Sequence, residues 1–156
     1  MPDQDVRLQL LQSWLEDCLP ALFLQQGWGE VPAASLTPAS SDASFRRYFR
    51  WQAEGRSLIL MDAPPPQEDC RPFVRIAALL ADSGVHVPRI LAQDLERGFL
   101  VLDDLGRQTW LEVLNADNAD ALFEQALQAL VRFQRMPGAD ALPPYDDALL
   151  RRELQL

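Results

Sequence analysis

The 156-residue chain is long enough for one domain with a real core, and its 48% hydrophobic and 24% charged residues exclude a disordered tail and a fibre. A net charge of −9, with arginine at all 14 basic positions, excludes a binder that neutralises nucleic-acid phosphates; it suits solubility, or weakly a cationic substrate. There is no apolar run of about 18 residues to span a membrane, and the acidic start Met1–Asp5 is unlike a signal peptide.

Leu11, Trp14, Leu15, Cys18, Leu19, Leu22 and Phe23 recur at three- and four-residue spacing and predict an amphipathic helix. Asp3 and Asp5 are candidate caps, Pro20 is expected to kink or divide the helix, and Gly27-Trp28-Gly29 ends it. A short strand follows around Ser35–Thr37, bounded by Pro32 and Pro38. Then come six small or polar residues, Ala39–Ser44, and an alternating strand over 45–51. Glu54-Gly55 turns it into another strand over 57–61, which makes an antiparallel meander.

Asp62–Pro66 stops the sheet. Asp69 and Pro72 start a helix with inner face Phe73, Ile76, Ala77 and Leu80, ended by Ser83-Gly84. A strand near Arg89–Gln93 turns at 96–98 into Phe99–Leu102, a continuous apolar run of the kind buried on both faces. This last strand ends abruptly in Asp103-Asp104-Leu105-Gly106, delivering backbone N–H and C=O groups to the mouth of a cleft. Helices are expected over Trp110–Leu114 and over Ala119–Arg135, the latter with apolar face Leu122, Phe123, Ala126, Leu127, Leu130 and Val131. A last helix begins at Asp146 or Asp147 and is expected to be still running at Leu156, as if the chain continued. Cys18 and Cys70 fall in helical patterns without CxxC spacing and read as reduced thiols of a cytoplasmic protein.

The small residues Ser40–Ser44 between two strands let backbone amides approach a ligand, and Arg46 and Arg47 lie just beyond: a phosphate cradle, or an ordinary hairpin turn. Arg46 and Arg50 share one strand face and Arg47 the other, unless all simply meet solvent. Asp103 and Asp104 read as paired acids or as a turn and cap. His86, the sole histidine, has no partner for a metal site and reads as structural. No Ser/His/Asp arrangement or metal-ligand cluster is visible.

The order of elements, three strands, a helix, two strands and then helices, is that of a protein-kinase-like N-terminal lobe. The stretches Ser40–Arg50, Leu60–Pro66, Val87–Leu91 and Phe99–Gly106 resemble the aminoglycoside phosphotransferase superfamily. Within it they look most like the bacterial anomeric sugar kinases that phosphorylate N-acetylmuramate and N-acetylglucosamine in cell-wall recycling. The resemblance runs from about Leu8 to the end. It implies an α+β fold: residues 1–105 form a kinase-like N-terminal lobe with an added N-terminal helix, and 106–156 the hinge and the beginning of a truncated helical lobe.

It further implies ATP as cofactor, with Ser40, Ser41, Asp42, Ala43, Ser44, Phe45 and Arg46 as the loop over its phosphates. Leu102, Asp103, Asp104 and Leu105 become the adenine hinge, and Leu36, Leu58, Leu60 and Val101 the candidate walls. Two departures stand out. The third-strand lysine of kinases is expected near Met61, and its glutamate on the following helix, where only Arg75 is charged. Losing both members of one ion pair is self-consistent, because a lone buried charge is costly. Arg46 or Arg47 is the expected substitute. The family's His-Gly-Asp or His-Arg-Asp loop and later metal-binding Asp are also missing, so Mg²⁺ ligands are expected outside this chain. The segment alone is expected to bind nucleotide weakly at most, without turnover. The alternatives are a non-catalytic kinase-like regulatory module and an acidic interaction domain with no ligand.

Overall fold

The computed structural model describes residues 5–41, 44–53 and 55–155. The chain divides into two compact units, one comprising residues up to Ala78 together with Val87–Val113, the other Leu79–His86 and Leu114 onward.

The first unit is built on a five-stranded antiparallel sheet: β1 (Ser35–Ser41), β2 (Arg47–Ala53), β3 (Arg56–Asp62), β4 (Ile90–Asp94) and β5 (Phe99–Asp103). Their spatial order is β1-β2-β3-β5-β4, so the apolar strand β5 lies inside the sheet, paired with β3 through Leu60↔Val101. This is the α+β lobe with five antiparallel strands that the sequence predicts.

Alternation along the strands sends two sets of side chains to opposite faces. Phe49, Trp51, Leu58, Leu60, Phe99 and Val101 pack against α1 (Val6–Gln26), whose buried stripe is Leu11, Trp14, Leu15, Leu19, Leu22 and Phe23. Trp14 meets Phe99 with ring centroids 5.7 Å apart, and Phe23 meets Trp51 edge-on at the same distance. On the other face Met61, Leu100 and Leu102 pack with Phe73 and Val74 from the start of α2 (Arg71–Asp82).

Several boundaries differ from expectation for physical reasons. Asp5 caps α1, its side chain accepting from the Leu8 N–H at 3.0 Å; Asp3 lies outside the described residues. Pro20 sits inside the helix and does not divide it: it removes one donor while Leu19 and Leu22 on either side stay buried. β1 runs through Pro38 with a register shift between Pro38 and Ser40, which an outer strand tolerates because its free edge needs no donor. β2 starts two residues late, because Phe45 and Arg46 are held in the turn: the Phe45 N–H donates to Glu68 (3.2 Å) and the Arg46 N–H to the Ser44 hydroxyl (3.2 Å). Cys70 is buried immediately before α2 rather than within it.

An ionic cluster ties α1 to the sheet. Asp62, with no solvent exposure, accepts from Arg7 and from Arg47 (Nε 3.0 Å), and Arg47 also pairs with Asp5. Arg7 donates onward to the Arg97 carbonyl at 2.8 Å and stacks over Phe99 at 4.6 Å. The β4–β5 turn closes at Gly98, whose backbone (φ +75°) would put a Cβ 1.9 Å from the Ala63 carbonyl oxygen. Only glycine fits there. The short α3 (Trp110–Val113) ends this unit.

The second unit holds α4 (Ala119–Gln134), a 3₁₀ turn (Ala139–Ala141) and α5 (Asp147–Glu153). Asp146 caps α5 by accepting from the Leu149 N–H. The helix stops at Glu153 instead of running to Leu156. Phe123, Leu127, Leu130 and Val131 of the predicted apolar face are exposed.

Candidate nucleotide cleft

On the sheet face opposite α1 lies a cleft of about 370 Å³. Ala39 and Ser40 of β1, Tyr48 and Arg50 of β2, Ile59 of β3 and Phe73 of α2 line it, together with Pro88 and the β5 exit, Leu102–Gly106. The volume lies within the range of small-ligand sites, and the wall is mostly apolar with polar groups at one edge.

That edge is set by two carboxylates, each engaged by one arginine. Asp103 accepts from the Arg89 N–H (2.7 Å) and Nε (3.0 Å), holding the exit of β5 to the start of β4. Asp104 turns back across the sheet. It accepts from Arg50 Nε (2.6 Å) and Nη2 (3.0 Å), from the Ser57 hydroxyl and from the Gly106 N–H (2.9 Å). The Arg50 side chain is 10% exposed and that of Asp104 9%. The Arg50 guanidinium, chiefly, and the hydroxyl and amide donors hold the Asp104 carboxyl down at about 2, and Asp104 in turn raises the Arg50 guanidinium. Neither aspartate is a spare acid. Arg50, for which a solvated face was one of the two sequence readings, is buried.

The sequence-predicted residues divide between the two faces. Ser40, Leu102, Asp103, Asp104 and Leu105 meet at the cleft. Ser41 lies at the end of β1, opposite Arg47; Asp42 and Ala43 lie outside the described residues. Ser44 and Phe45 shape the turn beside Glu68, and Arg46 Nε lies 3.4 Å from Glu68 Oε2 without a hydrogen-bond partner among the described residues. Arg47 is drawn to Asp62 and Asp5 instead. Leu36, Leu58, Leu60 and Val101 belong to the α1-facing core, so the apolar wall is made by Ile59, Tyr48 and Phe73. The signal for this was available: in β3 the residue two before Met61, not one before, shares its face.

Met61 itself is fully buried and packs in the same cluster as Phe73 and Val74, so apolar contact joins β3 to α2 where a kinase has an ion pair. Among the described residues no group of three or more His, Cys, Asp or Glu is arranged to hold a metal, and no helix is long and apolar enough to cross a membrane.

The model of the phosphotransferase enzyme family (APH) matches residues 35–156, which take in the whole sheet and both carboxylates. The chain belongs to this phosphotransferase family. The N-acetylmuramate/N-acetylglucosamine kinase of Pseudomonas aeruginosa is 70% identical over 152 residues, covering 97% of this chain and 45% of the relative. The enzyme of the same name from Pseudomonas putida is 66% identical over 156 residues, covering all of the chain and 46% of the relative. That of Neisseria meningitidis is 37% identical over 151 residues, covering 94% and 42%. The chain therefore spans under half the length of these curated relatives.

Proposed function

We propose that this chain is the nucleotide-binding part of an ATP-dependent amino-sugar kinase, with residues 1–105 as the nucleotide lobe and 106–156 as the start of a helical lobe. The observation that carries it is the cleft: apolar side chains from β2, β3 and α2 face the main chain of Leu102–Leu105 across about 370 Å³. The base would lie between Ile59, Tyr48 and Leu102, with its polar edge toward that backbone. Of the Ser40–Arg46 segment, the described residues Ser40 and 44–46 would lie over the phosphates. Arg46 is the stronger candidate for a phosphate contact, because it pairs with one carboxylate, Glu68 at 3.4 Å, whereas Arg47 serves two.

The relatives' names support an N-acetylmuramate or N-acetylglucosamine substrate, and the free thiols of Cys18 and Cys70 are in keeping with a cytoplasmic setting. Mg²⁺ would supply charge neutralisation at the transferring phosphate, and among the described residues no group of three or more His, Cys, Asp or Glu is arranged to hold it. What this chain's own residues do is bind and orient the nucleotide. A second reading, a kinase-like module that binds without transferring, is favoured by Met61 in place of a lysine.

Calorimetry of the chain with ATP, with and without Mg²⁺, tests the binding. Saturable binding lost in Arg46→Ala supports the cradle; unchanged affinity in that variant removes Arg46 from it, and no binding at all sinks the nucleotide reading. Phosphate transfer by a chain extended to the relatives' length, offered N-acetylmuramate, N-acetylglucosamine and kanamycin in parallel, separates kinase from non-catalytic module.

A further inference from the structure

We infer that the buried Arg50–Asp104 pair, with Ser57, is a positioning element that fixes the Leu102–Leu105 backbone for one nucleobase edge and so sets base selectivity. The inference rests on the nucleotide reading above and adds to it the side chains that make the edge selective.

Three observations carry it. Asp104 leaves β5 at the cleft and reaches across the sheet to residues 54 and 47 positions earlier, on β2 and β3, so three strands are joined at one carboxylate. The turn is also closed from both of its polar ends: the Gly106 N–H donates to Asp104 at 2.9 Å, and the Gly106 carbonyl accepts from Arg50 Nη2 at 3.1 Å. Gly106 adopts φ +103°, a conformation that suits glycine, so the turn takes this tight path without strain. Finally, Asp103 is held independently by Arg89, leaving the segment clamped on the β4 side as well.

The energetics favour a positional role over a stabilising one. A charged pair taken out of water gains little over apolar side chains of the same size, so its distinctive product is a fixed geometry. With both carboxylates engaged by arginines, and the Asp103 N–H donating to the Arg89 carbonyl at 3.1 Å, what the cleft edge offers a ligand is the main chain beyond that amide, at Asp104 and Leu105, rather than side-chain chemistry. Adenine presents a donor beside an acceptor, and guanine presents the reverse at the equivalent positions. A displacement of about 1 Å in a peptide edge is enough to lose such a match. Holding that edge still is therefore what separates the two bases.

Competition calorimetry on the whole chain with ATP, GTP and inorganic tripolyphosphate tests this in wild type, Asp104→Asn, Arg50→Lys and Ser57→Ala. Losing one charge-assisted bond predicts ATP affinity down about tenfold in Asp104→Asn and about threefold in Ser57→Ala. Tripolyphosphate affinity is expected to be unchanged and the ATP-over-GTP ratio to collapse toward unity. Arg50→Lys, which keeps the charge and loses the fork, should fall between wild type and Asp104→Asn. A ratio that survives in folded Ser57→Ala and Asp104→Asn overturns the inference, as does equal weakening of all three ligands, the mark of a purely structural pair. Ser57→Ala removes a single hydroxyl and decides the matter if Asp104→Asn fails to fold. A wild-type chain with no affinity for ATP instead overturns the nucleotide reading, a result distinct from either.

Discussion

Replacing Asp62 by Asn keeps the shape of the side chain and removes its charge. The carboxylate has no solvent exposure and sits between two guanidinium groups, accepting from Arg7 (Nε 3.2 Å) and Arg47 (Nε 3.0 Å, Nη2 2.5 Å). In Asp62→Asn one acceptor oxygen becomes an amide that faces donors, and two positive charges lose their common counter-ion. Breaking a fully buried pair costs about 3–5 kcal/mol. Here both arginines retain an outlet: their side chains are 30% and 37% exposed, Arg7 keeps the Arg97 carbonyl, and Arg47 keeps Asp5. That access to water lowers the expected cost to about 2–3 kcal/mol. All four tryptophans, Trp14, Trp28, Trp51 and Trp110, lie in the sheet-bearing unit, so their fluorescence in a urea titration reports its unfolding. In an Arg47→Met background the same substitution should cost at least ~1 kcal/mol less, because one of the charges it strands is already gone. A single-variant loss under ~1 kcal/mol, or strict additivity in the cycle, would refute the reasoning that this cluster is a coupled unit.

Two further outcomes follow from the same unit. Gly98→Ala should destabilise by more than ~3 kcal/mol, since the added Cβ meets the Ala63 carbonyl oxygen at 1.9 Å in a left-handed backbone; a thermal midpoint within a few degrees of wild type would contradict that geometry. The Asp104 carboxyl is held at about 2 against an ordinary 3.8, so its stabilisation is fully present above the ordinary value and is lost as pH falls through the lowered one. Unfolding free energy should therefore drop by roughly 2 kcal/mol more in wild type than in Asp104→Asn between about pH 4 and pH 2; parallel acid profiles for the two proteins would exclude it.

The order of elements was readable because each has its own period. Leu11 to Phe23 repeats every three or four residues, and Ser57–Met61 and Phe99–Leu102 are short apolar runs between turn residues. The cleft edge at Asp103–Gly106 was readable for the same reason: a buried strand stops there. The cleft wall was not readable from alternation alone, and needed Met61, at the expected lysine position, to mark the open face. Every residue from Leu58 to Met61 in β3 is apolar and packs on one face or the other, so alternation alone does not say which set faces the open side. Leu58 and Leu60 turn to α1 because that helix covers the face they share with Phe49 and Trp51. Arg50, left open between the shared face and solvent, was undecided for a different reason. Its partner lies 54 residues away, and a lone arginine in an alternating strand carries no local sign of a distant carboxylate.

Both register shifts described in this sheet fall on its two outer strands, between Pro38 and Ser40 in β1 and between Ile90 and Ala92 in β4, while the inner pairings β2–β3 and β3–β5 run in step. A flat, regular margin would offer a ready template on which another molecule's strand could add, and a third after it. Interrupted at each rim, the sheet gives such growth no continuous row of donors and acceptors. Concentrated solutions of this protein should accordingly resist fibrillar association, with Pro38 as the gatekeeper whose loss would remove that protection first.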